Sequence, residues 1–189
     1  MFKQDCLYVD PKCVLTKNCF DYLTDDYMVG QNLRRSGYFD ELLDWFMIPC
    51  ITYDEAVSIT EYLKSLNYDF KKHFTMYATF IYRRYNKQTI QLNNKWWNLW
   101  KTQEKRDQLF FPPAVQLTKS KVNFKTDCSN IFTIPVMNPA SFQDRSLQIK
   151  NLHKIVPLVK KINSITEEQY TVNSNTLSFR LPLSKKIYL

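Results

Sequence analysis

Glycine is almost missing from this chain. Its 189 residues hold only Gly30 and Gly37, with none in the 152 positions after Gly37. Phosphate-cradling P-loops and dinucleotide-binding turns need glycine backbone, so nucleotide-dependent catalysis is not expected. Histidine is as scarce. His73 and His153 stand apart from any carboxylate or cysteine pattern that marks a metal centre or an activated nucleophile. No catalytic residue, metal ligand or cofactor is therefore assigned, and the chain reads as non-enzymatic. The five cysteines, Cys6, Cys13, Cys19, Cys50 and Cys128, are odd in number and include no C-x-x-C pair. That spacing suggests neither a disulfide framework nor a zinc ribbon, and reduced thiols are expected, with a metal site among the first three as the lesser alternative. Long apolar runs are also lacking. Even Tyr38 to Thr52 is broken by Asp40, Glu41 and Asp44, so no membrane span is expected. The opening Met-Phe-Lys-Gln-Asp-Cys has neither the apolar run of a secretory signal nor, with the acids that follow, the character of a transit peptide.

What the chain does have is sorted charge. Residues 1–75 carry 8 Lys and Arg against 12 Asp and Glu, a net of −4, whereas residues 76–189 carry 18 against 6, a net of +12. Two segments are expected on this basis, an acidic one at 1–75 and a basic one at 76–189. A segment this positive repels itself when compact and is most easily tolerated beside a polyanion, of which RNA is the commonest. The alternative is a solvated basic face without a partner. The 44% apolar content suffices for a real core.

Periodicity divides the chain further. Short irregular pieces come first, then a helical stripe at Phe39, Leu42, Leu43 and Phe46, stopped by Pro49. Thr52 and Glu55 have capping-box spacing, and Ala56, Ile59, Leu63 and Leu66 continue as a second helix. Thr75 to Tyr85 alternates as a strand, and Gln88 to Arg106 reads as a helix ended by Pro112 and Pro113. Val115 to Phe124 and Ile131 to Val136 read as strands, followed by a long loop marked by Pro135 and Pro139. Leu147 to Val159 reads as extended, Thr166 as the cap of a short helix, and Thr176 to Leu183 as a last strand. The expected class is α+β: a ferredoxin-like (β-α-β-β-α-β) antiparallel sheet with a long inter-strand loop, preceded by a mainly helical extension.

The run Phe132-Thr133-Ile134-Pro135-Val136-Met137-Asn138-Pro139-Ala140-Ser141-Phe142-Gln143-Asp144-Arg145 resembles the strand and loop-tip segment of the ribosomal protein S-ten family of the small ribosomal subunit. His153-Lys154 follows Arg145 at the family's eight-residue interval, with Ile149-Lys150 between. Phe80-Ile81-Tyr82-Arg83-Arg84-Tyr85-Asn86 is similar to the family's first strand and turn, and Leu117-Thr118-Lys119-Ser120-Lys121 to its L-P-T segment with two basic residues. The order of these matches is the family's. The departures are Met137-Asn138-Pro139 where the family has Ser-Pro-His, and a missing proline in the L-P-T segment. Leu117 to Phe124 also fits the family segment that leads directly into its strand.

The resemblance implies a non-enzymatic component of the small subunit head, reaching small-subunit rRNA and neighbouring ribosomal proteins through the long loop. Lys119, Lys121 and Lys125 on the ascending side and Arg145, Lys150 and Lys154 on the descending side are the expected phosphate contacts. His153 either donates to phosphate or ribose or serves as a structural histidine. Of Arg83 and Arg84, opposite strand faces leave one available to RNA. Trp96, Trp97 and Trp100 are expected to pack helix against sheet more than to stack on bases. The acidic 1–75 segment is expected to contact protein. Abundant Lys, Asn, Tyr, Phe and Ile over Ala and Gly suit an AT-rich genome, and so a mitochondrial ribosome in the matrix, possibly encoded in the organelle. The rival expectations are an accessory structural subunit of a mitochondrial respiratory or membrane complex, with its basic surface on anionic lipid heads, and a viral or free-standing RNA-binding protein.

Overall fold

The computed structural model describes residues 3–11, 13–31, 37–71, 75–133, 152–167, 171–172 and 179–180. In chain order the elements are β1 (Cys6–Val9), β2 (Val14–Leu15), a 3-10 turn (Cys19–Tyr22), β3 (Tyr27–Gln31), α1 (Tyr38–Met47), α2 (Tyr53–Ser65), β4 (Met76–Arg83) and α3 (Lys87–Gln103). They continue as a second 3-10 turn (Asp107–Phe110), α4 (Phe111–Thr118), β5 (Asn123–Lys125), β6 (Phe132–Thr133), α5 (Leu152–Thr166), β7 (Thr171–Val172) and β8 (Phe179–Arg180). The chain forms two compact units. One joins Met1–Arg34 to Phe74–Pro139, the other Arg35–His73 to Ala140–Leu189. The units are thus composed of other segments than 1–75 and 76–189.

In the first unit a four-stranded mixed sheet runs β1-β4-β3-β5. β4 is antiparallel to both β1 and β3, and β5 is parallel to β3. Alternation assigns the faces. Phe80 and Tyr82 pair with Val9 and Leu7, and Tyr82 also with Met28. These side chains bury with Cys19, Leu23, Ile131 and Phe132 in one apolar cluster, which Cys13 and Cys128 border. The opposite face carries Tyr27, Val29 and Ile81, all buried. Tyr27 lies 5.6 Å from Phe111 between ring centroids and donates its hydroxyl to Asn93 Oδ1 at 2.9 Å. Trp96 packs edge-on to Phe111 at 4.8 Å. A short ribbon, β2 with β6, pairs Val14 with Thr133 and Leu15 with Phe132.

The second unit is built on helices. Thr52 caps α2 as its spacing requires: Thr52 Oγ1 accepts from Glu55 N at 3.3 Å, and Glu55 Oε2 accepts from Thr52 N at 2.8 Å. Ala56, Ile59 and Leu63 bury one stripe of α2, and Ile155, Leu158, Val159 and Ile162 one stripe of α5. Glu61–Lys161 at 4.0 Å and Lys64–Glu167 at 3.6 Å are ion pairs between α2 and the α5 region. Tyr38, Phe39, Tyr68 and Phe70 form an aromatic knot, with Phe39 stacked on Phe70 at 5.1 Å. Burial, then Tyr68 and Glu41, push the Tyr38 hydroxyl well above the usual tyrosine range. That hydroxyl has no hydrogen-bond partner among the described residues.

With so little glycine, helices end on other residues. Asn67, Glu104, Lys119 and Glu167 take left-handed φ values of 57°, 51°, 53° and 60° just past α2, α3, α4 and α5. Ser120 N bonds Val115 O and Lys119 N bonds Gln116 O, both at 3.1 Å, the pair of bonds that defines a Schellman end. Tyr68 N to Leu63 O and Asn67 N to Lys64 O repeat it after α2. Glu104 N to Trp100 O and Glu167 N to Asn163 O are the simpler single-bond form.

The class is mixed α+β, as expected, but the strand order is not the β-α-β-β-α-β one. Both edges of β4 are taken by strands from the first 31 residues, where a split βαβ would place later strands. The part of the 1–75 segment before α1, expected as short irregular pieces, carries β1, β2 and β3. Pro112 and Pro113 do not end a helix. They open α4, where a missing amide is harmless because first-turn amides lack intrahelical acceptors. Of the expected 115–124 strand only Asn123 and Phe124 lie in a strand, at the start of β5. Residues 152–159 are helical despite Pro157, because the buried stripe at 155, 158, 159 and 162 outweighs the one backbone bond that Pro157 removes. Thr166 stands at the end of that helix, donating its hydroxyl to Ile162 O at 3.0 Å.

Two substitutions test these packing arguments by chemical denaturation. Thr52→Ala should lower unfolding free energy by about 1 kcal/mol through loss of the cap. Tyr38→Phe should raise it by about 1 kcal/mol, because it removes a buried hydroxyl that bonds nothing and leaves the ring packing in place. A destabilised Tyr38→Phe would show that the hydroxyl is satisfied.

Candidate nucleic-acid interface

Strand register brings several of the expected cations to one end of the first unit's sheet. Cys6 and Tyr27 both pair with Arg83, and Met28 with Asn123, so the starts of β1, β3 and β5 meet the end of β4. Arg83 is half-buried there, and its Nη2 donates to Cys6 Sγ at 3.7 Å. Arg84 is exposed and faces acid. Its amide donates to Asp26 O at 2.8 Å, and its Nη1 lies 3.3 Å from Asp26 Oδ1. Tyr82, and less strongly Asp26 and Asp5, make the Arg84 guanidinium hold its proton more firmly than usual. Asp5 ties the corner further, accepting from Tyr82 Oη at 3.2 Å and from Tyr85 N at 2.7 Å.

Lys121 and Lys125 flank the neighbouring acid. Asn123 Nδ2 donates to Asp25 Oδ2 at 2.6 Å, and this bond holds the Asp25 carboxyl below the usual aspartate range. Burial opposes the shift. Thr24, Lys125 and Lys121 then add to it in that order. The sheet end is therefore a cationic rim with its own counter-ions, Asp25 and Asp26. A phosphate approaching Arg84 must compete with Asp26, at a high-dielectric surface where such an exposed pair contributes little. Lys119 and Lys121 are exposed and make no ion pair among the described residues. Lys119 is fixed by the Schellman end of α4, two residues before Lys121.

The remaining expected contacts are placed elsewhere. His153 and Lys154 are exposed in the first turn of α5, in the second unit. Arg145 and Lys150 lie outside the described residues, as does the long loop from Ile134. The three tryptophans of α3 divide. Trp96 packs on Phe111 and donates Nε1 to Asp107 O at 2.8 Å, whereas Trp97 is 59% exposed, so the expectation that it packs helix to sheet does not hold. Its ring sits 4.8 Å from that of Trp100. The surface that the motif reading passed over is this outer face of α3. Its signal was available as a stretch without acid, since Lys87–Gln103 contains no Asp or Glu.

No disulfide joins the cysteines. Burial, reinforced by Asp127, raises the Cys128 thiol above its usual range, which keeps it protonated and a poor nucleophile or ligand at neutral pH. Among the described residues, no three His, Cys, Asp or Glu side chains gather as a metal site, and no helix is long and apolar enough to cross a membrane.

Asp25 allows a direct check of the rim. Replacing Asn123 by Ala should move the Asp25 titration, followed by carbon-detected NMR, back up toward the ordinary aspartate range. Because the folded value is depressed, the stabilisation from this contact is complete above the unfolded aspartate pKa and is lost as pH falls through the folded one. An Asp25 titration indifferent to Asn123→Ala would mean the 2.6 Å bond does not persist in solution. Compared with models of protein families, with curated proteins and with solved structures, the chain matches none of them.

Proposed function

We propose that the protein is a structural, non-enzymatic constituent of the small ribosomal subunit, binding rRNA and neighbouring proteins in the subunit head. The setting we propose is a mitochondrial ribosome, and hence the mitochondrial matrix. One observation carries this reading: the S-ten-like motifs at 80–86, 117–121, 132–145 and 153–154 occur in family order within a segment of net charge +12. The exposure of Lys119 and Lys121, in the segment that leads into β5 beside the sheet end of Arg83 and Arg84, supports it. In this reading the ferredoxin-like order expected for the family gives way to a sheet in which β1 and β3 flank β4. The neighbouring-protein role of the N-terminal segment is supported by apolar side chains left at its surface. Phe20 is 69% exposed, and Val14, Leu15 and Tyr22 are exposed nearby in sequence.

The decisive measurement is binding to small-subunit rRNA across a salt series. Affinity should fall steeply with salt. Replacing Lys119, Lys121, Arg145, Lys150 and Lys154 together by Ala should weaken binding and flatten the log–log salt slope by about 0.7–0.9 for each phosphate no longer neutralised. In gradients the protein should remain with the small subunit after a high-salt wash. A protein that instead leaves the subunit and binds anionic vesicles would belong to a membrane-associated assembly, and the ribosomal reading would be abandoned.

A further inference from the structure

The outer face of α3 has a composition that packing does not explain. Thr89, Leu92 and Leu99 are buried on its inner side. The exposed positions opposite include Lys87, Gln91, Asn94, Trp97, Asn98 and Lys101, spaced three and four apart along one stripe. The stripe carries two cations, three amides and one large aromatic ring, and no acid lies anywhere in Lys87–Gln103. Trp97 is 59% exposed, and its partner ring Trp100 stands 4.8 Å away at a 42° tilt, which props the indole at the surface. None of the charges on this face is neutralised by an ion pair among the described residues.

We propose that this face of α3 is a platform for an unpaired stretch of RNA, with the Trp97 indole stacking on a base and Lys87 and Lys101 pairing with phosphates on either side. The inference rests on the RNA-binding reading above and names a second contact surface within it. Charge complementarity selects a polyanion. The amides then supply donors and acceptors that suit base edges and ribose, and the ring supplies a stacking surface that any base can use. The two lysines are about 21 Å apart along the axis at 1.5 Å per residue, enough for several nucleotides. A helix that docks into a protein groove presents apolar anchors at successive turns, and a membrane-surface helix presents a broad apolar face. This stripe has one apolar side chain, flanked by amides, and fits neither. Duplex RNA keeps its base faces stacked and offers Trp97 nothing to stack on.

The test uses the full chain, a labelled single-stranded oligouridylate of about ten nucleotides and a duplex of the same length, read by fluorescence anisotropy at low salt. Trp97→Ala should weaken single-strand binding roughly tenfold while duplex binding stays unchanged, and Trp97→Phe should recover most of the loss. Both variants should melt like the parent protein, since the side chain is largely outside the core. Equal single-strand binding by parent and Trp97→Ala overturns the proposal. So does an equal loss on single strand and duplex, or Trp97-dependent binding to phosphatidylserine vesicles with none to oligouridylate. Sedimentation with the small subunit is scored separately. If Trp97→Ala loses oligouridylate binding in a protein that never sediments with the subunit, the platform stands and the ribosomal reading falls. If the protein sediments and Trp97→Ala binds oligouridylate unchanged, only the platform falls.

Discussion

The backbone of β4 is hydrogen-bonded along both edges, to β1 on one side and β3 on the other, and the first unit cannot be assembled without it. An eight-residue strand left unpaired would expose a row of donors and acceptors, so the chain must bring its beginning back across some seventy residues to cover them. Once β3 is seated, β5 joins it in parallel, and the sheet gains two covered faces. The alternation of Phe80, Ile81 and Tyr82 then decides which cluster each side chain enters. Arg83 and Arg84 acquire their positions at the rim as a by-product of that register.

Charge follows the same reorganisation. Along the sequence the acids precede the bases, yet folding interleaves them. The segments Met1–Arg34 and Phe74–Pro139 together hold 14 Lys and Arg against 8 Asp and Glu, and the other unit holds 12 against 10. In the second unit charges from the two parts of the chain meet, as Glu61–Lys161 and Lys64–Glu167 show. Net positive charge is therefore concentrated in the first unit, where α3 and the rim carry it. Neither unit reaches the +12 of the linear segment 76–189, so self-repulsion calls for an external polyanion less strongly than linear charge suggests, and chiefly in the first unit.

Local signals were legible and non-local ones were not. The Thr52–Glu55 cap, the stripes of α1 and α2, the helix at α3 and the β4 strand follow from residues a few positions apart. Proline misled twice, because Pro112 and Pro113 suit a helix start as well as a stop, and because the missing amide of Pro157 is one bond against four buried apolar side chains. The partners of β4 lie at 6–9 and 27–31, in short strands with no pattern that names their mate. At the rim, Lys119, Lys121 and Lys125 stand out in the sequence as basic residues. That Asp26 meets Arg84 and Asp25 meets Asn123 depends on pairings 58 and 98 residues apart, which spacing cannot reveal.

Lys119 joins two of these themes. A left-handed backbone costs an L-residue about 1–2 kcal/mol that glycine does not incur, and this chain accepts that strain after four of its helices. At Lys119 the strained residue is also one of the exposed cations. Relaxing the turn with glycine would erase a positive charge, so backbone comfort and surface electrostatics cannot both be optimised there. A lineage under pressure to become more heat-resistant would find this position closed to the simplest remedy, as it would Glu167, whose carboxylate pairs with Lys64.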